Sequence, residues 1–415
     1  MPLLLEGTLL WCGCACEIES EVMATCVRSY SKINLGLAIG PVRGDGFHGL
    51  TTLYQTLALH DLVTVSAKRL AGAETRIALT TNHSFVPRDA RNTAWRMVER
   101  CLERLGVAAE VEIHIEKRLP VPGGMGAGSA NAAAALLGLE RELGVALPGV
   151  ERMKLAAEIG SDVPLFLLGG AVLGLGRGEQ VVPMPDLPKT WCVVAVPSVG
   201  VSTPQAFRDW DARVAGGEAI SQGRDVGHPA DVASEGELGE GVPVRLTSPS
   251  RIDRLQELSL AYSSLSAKTG DGRFGTSGIV RDQNSEKKQD LPDKNQEHAL
   301  NDLAENALLA LVRTGIGNDF EEVVFPQYPS LRITKRQLMG SDLDGFSVDR
   351  PAIYAALSGS GSALFGLYLS EADAKAAQQR VQPAVSGIGV QVFLTETLPR
   401  SEYWDGMFAG DLAGR

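Results

Sequence analysis

Residues 117–133 read Lys117-Arg118-Leu119-Pro120-Val121-Pro122-Gly123-Gly124-Met125-Gly126-Ala127-Gly128-Ser129-Ala130-Asn131-Ala132-Ala133. Just upstream, Val111, Ile113 and Ile115 alternate with polar residues, the period of a half-buried strand. Just downstream, an alanine-rich stretch over 129–143 predicts a helix. A strand therefore feeds a glycine-dense loop over 120–128, and the loop feeds a helix. Glycine lets a backbone take positive φ and approach a ligand closely. A helix N-terminus adds unpaired N–H groups and the positive end of the macrodipole. Together these make a cradle for phosphate. It is not a Walker A loop, because no Gly-Lys-Ser/Thr follows. An ordinary loop with a glycine hinge would not need the dense glycines, the entry proline and the alanine-rich helix together.

Outward from this loop the pattern mixes helices and strands. Residues 27–39 and two stretches within 50–67 read as extended, with a Gly/Pro/Asp-rich turn at 41–46 between them. Helical spacing appears over 92–105 and 151–159, and apolar strand-like stretches over 164–175 and 191–196. Gly44-Asp45-Gly46-Phe47-His48-Gly49 matches G-x-G-x-x-G, but the Thr-rich residues after it favour a strand. The helix that a dinucleotide fingerprint requires is missing, so that reading is rejected. From about 211 to 301 the chain turns polar and rich in Gly, Ser, Asp and Gln, with Tyr262 and Phe274 as its aromatics. Such a segment buries too little apolar surface to offset its ordering entropy and is expected to be a mostly disordered insertion. A short helix over 251–260 is expected inside it, and an amphipathic helix over 303–312 after it.

The chain has 415 residues and a net charge of −11, with pI near 5.2. Length suggests about two to three domains. The acidic balance argues against nucleic acid, which is held by clustered Lys and Arg. No apolar run reaches the roughly 18 residues of a membrane span. Cys12, Cys14, Cys16, Cys26, Cys101 and Cys192 contain no C-x-x-C pair and are expected to be free thiols in a reducing cytosol. Residues 1–26 form an extension. Its apolar start carries Glu6 and lacks a basic n-region, a poor signal peptide, and Met23 is a candidate true start.

The loop resembles the P-x-x-x-G-L-G-S-S-A motif of the GHMP kinases. Ser31-Lys32-Ile33-Asn34-Leu35 looks like that superfamily's first motif, and Leu357-Ser358-Gly359-Ser360-Gly361-Ser362-Ala363-Leu364-Phe365 like its third, a glycine-rich turn that closes over the nucleotide. Four segments point to the branch acting on diphosphocytidyl-methylerythritol: 31–35, Asp45-Gly46-Phe47-His48, Gly160-Ser161-Asp162-Val163-Pro164 and Pro197-Ser198-Val199-Gly200-Val201-Ser202-Thr203. Homoserine- or mevalonate-type kinases, and a non-catalytic ligand sensor on the same fold, remain the alternatives.

The resemblance implies an α+β, two-lobed GHMP kinase fold. Its first lobe, 27–186, would be ribosomal S5 domain 2-like and its second, 187–415, ferredoxin-like, with the insertion in the latter and the active site between them. It implies ATP and Mg²⁺, a small-molecule acceptor carrying cytidine diphosphate, no nucleic acid or membrane partner, a monomer or homodimer, and a bacterial cytosolic setting. Asp162 would be the base for the acceptor hydroxyl and Lys32 the cation that stabilises developing charge. Pro120, Val121, Pro122, Gly123, Gly124, Met125, Gly126, Ala127, Gly128, Ser129 and Ala130 would hold ATP. Ser358, Gly359, Ser360 and Gly361 would form the closing turn. Phe47 and His48 would meet the cytosine, Phe207 its other face, and Asn34 and Thr203 would hydrogen-bond the acceptor. Three positions depart from the motif. Pro122 and Ala127 replace glycines, and Pro122 removes one N–H. Ala130 stands where a second serine, a candidate for the Mg²⁺, is common.

Overall fold

The apolar run around Ile33, Leu35, Leu37 and Ile39 becomes the middle of β1 (Thr25–Val42), which is buried on both faces. In this computed structural model residues 24–72, 74–121, 123–222, 317–340, 351–381 and 389–410 are described. β1 pairs antiparallel with β2 (His48–Arg69), so the two stretches expected within 50–67 are one long strand. The ladder slips between Tyr30 and Lys32 and again between Asn34 and Gly36. Such bulges bend a strand and re-aim its side chains, and the two here bracket Lys32 and Asn34.

β3 (Arg76–Thr81) and β4 (Ala109–Glu116) follow, with α1 (Thr93–Leu105) between them. Asn92 caps α1, its Oδ1 accepting from the Ala94 N–H at 2.9 Å. α2 (Ala127–Leu143) and α3 (Gly149–Ile159) then precede β5 (Ala171–Gly176) and β6 (Gln180–Pro183). β5 pairs with β2 and β6 with β5, beside the order β1-β2-β4-β3. The three helices cover one face of this sheet through Met97, Val98, Leu136, Leu139 and Leu155. Gly138 marks the closest approach of α2: a Cβ there would sit 2.8 Å from Val65 Cγ2. The small residues of α2 let its axis lie low on the sheet, which fixes the height of the loop at its N-terminus.

The second lobe contains β7 (Trp191–Pro197), α4 (Thr203–Gln222), α5 (Glu321–Gln327), α6 (Pro329–Met339), β8 (Tyr354–Leu357), β9 (Leu364–Tyr368), α7 (Glu371–Val381) and β10 (Val390–Glu396). Its antiparallel sheet has the order β10-β7-β9-β8. The helices pack on its outer face around Trp210, Phe320, Leu331 and Ala377. Its inner face meets the first sheet, where Ile33, Leu35 and Leu53 pack with Val194, Val196 and Phe365. Both lobes therefore share one apolar joint. Among the described residues no helix is long and apolar enough to cross a membrane.

Three expectations need correction. Residues 164–175 are not one strand: Pro164–Leu167 form a 3-10 turn, and β5 starts only after Gly169 and Gly170. A proline opening the segment and two left-handed glycines suit a turn better than a ladder. The helix α4 continues past Asp211, where the composition changes, to Gln222. Buried Trp210 shows the helix still packing at that point. Residues 397–409, expected in the second lobe, return to the first: α8 (Arg400–Asp405) leads to β11 (Phe408–Ala409), which pairs with β1. The remaining insertion, the expected helices over 251–260 and 303–312, the N-terminal extension with Cys12, Cys14 and Cys16, and Pro122 lie outside the described residues.

Candidate active site

Lys32 and Asn34, two residues apart on β1, face the same way. Lys32 Nζ donates to Asn34 Oδ1 at 2.7 Å and lies 3.4 Å from Asp162 Oδ2. Asn34 Nδ2 donates to Thr52 Oγ1 at 2.8 Å, and Thr52 passes the chain on to the Gly36 carbonyl. Lys32 is thus aimed by a short relay that ends in backbone. Asp162 follows α3 in a turn, and its side chain is 32 % exposed whereas that of Lys32 is 4 %. Tyr54 of β2 donates its hydroxyl to Asp162 Oδ1 at 3.0 Å. Burial first, then the adjacent Asp162 charge, pushes the Tyr54 pKa well up, so the hydroxyl keeps its proton and remains a donor.

The glycine-dense loop packs directly on this pair. Met125 O accepts from the Lys32 backbone N–H at 3.1 Å. Gly126 has φ +70°, and a Cβ there would lie 3.0 Å from Phe166 Cζ and 3.1 Å from Lys32 Cγ. Gly124, with φ +69°, approaches the third motif so closely that a Cβ would meet Ser358 O at 2.8 Å and Gly361 O at 2.9 Å. Ser358 Oγ donates to Gly124 O at 3.2 Å. Asn318 Nδ2 secures the third-motif turn through Leu357 O and Gly359 O, at 2.8 and 2.7 Å. Two lobes and three motifs meet here through contacts that only small residues allow.

The entry to the loop is held by Asp61 of β2. Its Oδ1 accepts the backbone N–H groups of Arg118 at 2.7 Å and Leu119 at 2.8 Å, and its Oδ2 pairs with Lys117. Asn131, with its amide nitrogen turned toward the carboxylate, lies 3.2 Å from Asp61 Oδ2. At the loop's exit Gly126 caps α2 without a side-chain acceptor. The N–H groups of Ala127, Gly128 and Ser129 have no intrahelical partner in a helix's first turn.

Two cavities adjoin at Gly124 and Gly126. One, of about 400 Å³, is lined by Gly123–Ser129 and Pro120 together with Phe85, Arg91 and Lys117. The other, of about 540 Å³, holds Lys32, Asn34 and Asp162 at one end and Phe47, His48 and Phe207 at the other, with Thr203, Gly359 and Ser360 along its side. Thr203 Oγ1 and Ser360 Oγ share a hydrogen bond of 2.6 Å. The structure therefore brings most of the sequence-predicted residues into two neighbouring spaces. Ala130 is buried beneath the first turn of α2, and neither it nor Ser358 and Gly361, which support the loops from behind, lines either space.

Phe47 and Phe207 do not face each other across an empty slot. Phe207 stacks on His48, centroids 5.0 Å apart and planes 7° apart. His48 Nδ1 lies 3.0 Å from Gly40 O and Nε2 3.2 Å from Asp211 Oδ1. Phe47 is 54 % exposed at the rim, with the Arg177 guanidinium over its ring. Sequence reasoning did not single out Tyr54, Asp61, Lys117, Arg177 or Asn318. Asp61 carried a signal, a carboxylate inside an apolar strand, which calls for a buried partner.

Among the described residues no cluster of three or more His, Cys, Asp or Glu could cage a metal ion. Cys101 and Cys192 are buried free thiols; burial raises the Cys101 pKa to about 12 and pushes the Cys192 thiol higher still. These inert sulfurs are core residues.

Comparison with known sequences places the same segments in one family. The pattern described as the GHMP kinases N terminal domain matches residues 92–170, and that of the GHMP kinases C terminal matches 296–385. A 4-diphosphocytidyl-2-C-methyl-D-erythritol kinase of Solibacter usitatus is 31 % identical over 342 residues, 82 % of this chain and 80 % of the relative. The enzyme of the same name from Nocardia farcinica is 40 % identical over 215 residues, 69 % of its length. That from Nocardioides is 41 % identical over 185 residues, 62 % of its length. Among solved structures, a 4-(cytidine 5'-diphospho)-2C-methyl-D-erythritol kinase superposes with TM-score 0.52 at 23 % identity, covering 90 % of this chain and 99 % of that one. A homoserine kinase from Cytophaga hutchinsonii superposes with TM-score 0.54 at 18 % identity, covering 90 % and 95 %. The structures agree on the fold, and the sequence relatives single out the branch.

Proposed function

The chain belongs to the GHMP kinases, among the 4-diphosphocytidyl-2-C-methyl-D-erythritol kinases, and from that premise we propose that it transfers the γ-phosphoryl group of ATP to the 2-hydroxyl of 4-diphosphocytidyl-2-C-methyl-D-erythritol. This is a step of the non-mevalonate route to isopentenyl diphosphate and terpenoids. The observation that carries the reading is the Lys32–Asp162 pair, standing where a glycine-lined cavity meets a larger one with an aromatic far end.

The smaller cavity suits the triphosphate. The N–H groups of the first turn of α2 point a dipole end at it, and the glycines leave room for phosphate oxygens. Ala127 keeps its N–H, so its replacement of a glycine costs the loop no donor. When bound with the nucleotide, Mg²⁺ would neutralise charge on the transferred group. The Ser129 hydroxyl, on the first turn, is the loop side chain that would reach it.

Asp162 accepts the proton of the acceptor hydroxyl as its oxygen bonds to phosphorus and the β–γ bridging bond breaks, releasing ADP. Lys32 lowers the pKa of that hydroxyl and stabilises the negative charge that develops. Tyr54 holds one Asp162 oxygen, leaving the other toward Lys32 and the cavity. Asn34, Thr203, Phe47, His48 and Phe207 line the acceptor's path. Phe207 must part from His48, or accept the base on its outer face, for cytosine to stack.

The test is ADP release by purified protein with ATP and Mg²⁺, offered diphosphocytidyl-methylerythritol, homoserine and mevalonate in parallel. Turnover of the cytidine compound alone is expected. Turnover of another acceptor would keep the fold and sink the substrate assignment, and no turnover of any would leave a ligand sensor on a kinase fold.

A further inference from the structure

The larger cavity has two chemically different ends, and one turn lies between them. β5 and β6 are joined through Gly176-Arg177-Gly178, closed by the Gly178 N–H donating to Leu175 O at 3.0 Å. Gly178 has φ +102°, and a Cβ there would sit 2.5 Å from the Tyr54 hydroxyl oxygen and 3.9 Å from Asp162 Oδ1. The turn is therefore pressed against the Asp162 end. Arg177 reaches the opposite way, its guanidinium carbon 5.1 Å from the centroid of the Phe47 ring. A single side chain thus spans the distance between the hydroxyl-handling end and the aromatic end of the cavity it lines.

We propose that Arg177 binds the diphosphate of the acceptor and sets the enzyme's preference for a nucleoside diphosphate-linked polyol. This rests on the activity reading above. The acceptor is a polyol, a diphosphate and a cytidine in that order. With its polyol hydroxyl at Asp162 and its base among Phe47, His48 and Phe207, the diphosphate falls beside Arg177. The two other cations of the cavity are engaged. Lys32 is held by Asn34 and Asp162. Arg208 sits beside Phe207 on α4 and donates to Gln205 Oε1. Arg177 has Glu179 as its ion-pair partner among the described residues, Nε to Oε2 at 3.8 Å, beyond hydrogen-bond reach. Its planar fork of donors matches two phosphate oxygens at once. Stacking on Phe47 holds that fork at the rim, where an incoming anion meets it first.

The experiment measures binding of cytidine and of CDP, with a saturating non-hydrolysable ATP analogue filling the donor cavity, to wild type, Arg177→Ala, Arg177→Lys and Arg208→Ala. Steady-state KM values accompany the binding data. Wild type should bind CDP about 10- to 100-fold more tightly than cytidine, the range of charge-assisted hydrogen bonds. Arg177→Ala should bring that ratio below about threefold with cytidine affinity kept, and raise KM for the cytidine acceptor by a similar factor. KM for ATP should move less than about threefold. Arg177→Lys should fall between, because it keeps the charge and loses the fork. An unchanged ratio in Arg177→Ala overturns the proposal, as does an equal loss for cytidine and CDP, which would make Arg177 only a support for Phe47. Loss of the ratio in Arg208→Ala instead would move the role to Arg208. A wild-type protein that neither turns over the cytidine acceptor nor binds CDP overturns the activity reading itself, and Arg177 with it. Wild-type turnover beside an unaffected Arg177→Ala overturns the arginine assignment alone.

Discussion

Two lysine–aspartate pairs stand on either side of the glycine-dense loop, and they are built differently. In Lys117–Asp61 the side chains are 3 % and 0 % exposed. Asp61 is saturated: Lys117 takes one oxygen and two backbone N–H groups take the other. In Lys32–Asp162 the lysine is equally buried, but the aspartate is 32 % exposed, and the nitrogen and oxygen stand 3.4 Å apart. Only Tyr54 holds Asp162 with a close hydrogen bond among the described residues. A carboxylate whose lone pairs are all engaged can hold backbone in place but has little capacity left to take a proton. One that is half engaged and open to a cavity can do so. The same two residue types therefore form a closed clamp in one place and, in the other, an open pair fit for the chemistry proposed above.

The sharpest way to break this comparison is to neutralise each acid in turn. Asp162→Asn should lower kcat by about 10²- to 10⁴-fold, the usual worth of a positioned acid–base group. Its unfolding free energy, from urea melts, should stay within about 0.5 kcal/mol of wild type. Asp61→Asn should do the reverse. It leaves Lys117 buried and unpaired, so about 3–5 kcal/mol of stability should go, and KM for ATP should rise because the loop entry loosens. A folded, fully stable Asp61→Asn protein with a collapsed kcat would reverse the roles assigned to the pairs. Replacing Lys32 by methionine keeps much of its volume and removes the charge, and kcat should fall by about 10²- to 10³-fold. Tyr54→Phe is the mildest. It removes one hydrogen bond, worth about 1 kcal/mol, and kcat should fall about five-fold. The Tyr54 pKa is pushed well up by burial and by Asp162, so its proton stays on throughout neutral and mildly alkaline pH. An alkaline fall of kcat below pH ~10 should accordingly persist in Tyr54→Phe. Its disappearance would show that Tyr54 titrates.

The Lys32–Asp162 pair was found through its motifs and the Lys117–Asp61 clamp was not, for physical reasons. Lys32 and Asp162 sit in short motifs, 31–35 and 160–164, that resemble those of the GHMP kinases, and it was this resemblance rather than either residue alone that paired them. The cradle was legible because glycines, an entry proline and an alanine-rich helix must coincide to make one. Asp61 and Tyr54 lie inside a long strand, where the alternation of side chains reports only which face is covered. Their partners come from 56 and 108 residues away, and no local pattern carries that information. The aromatic end was half legible: the residue types were read, but the stacking of Phe207 on His48 depends on where α4 packs. The boundary placed near Asp211 failed because composition registers burial, and the last turns of α4 keep a helix in polar sequence.

The return of residues 400–409 to the first lobe has a consequence for how the protein is made. Arg28 Nη1 donates to Gly406 O at 2.6 Å across 378 positions of chain, Tyr403 hydroxyl donates to Phe166 O at 2.6 Å, and β11 completes the edge beside β1. On the ribosome, where domains tend to mature in order from the N-terminus, this lobe is an exception. The other strands of its sheet are complete at Pro183, yet β1 lacks its second neighbour at Cys26 and Val27 until Phe408 and Ala409 have left the exit tunnel. Such long-range closure is slow. During that interval the nascent lobe presents an open strand edge to chaperones and to its neighbours on the same messenger.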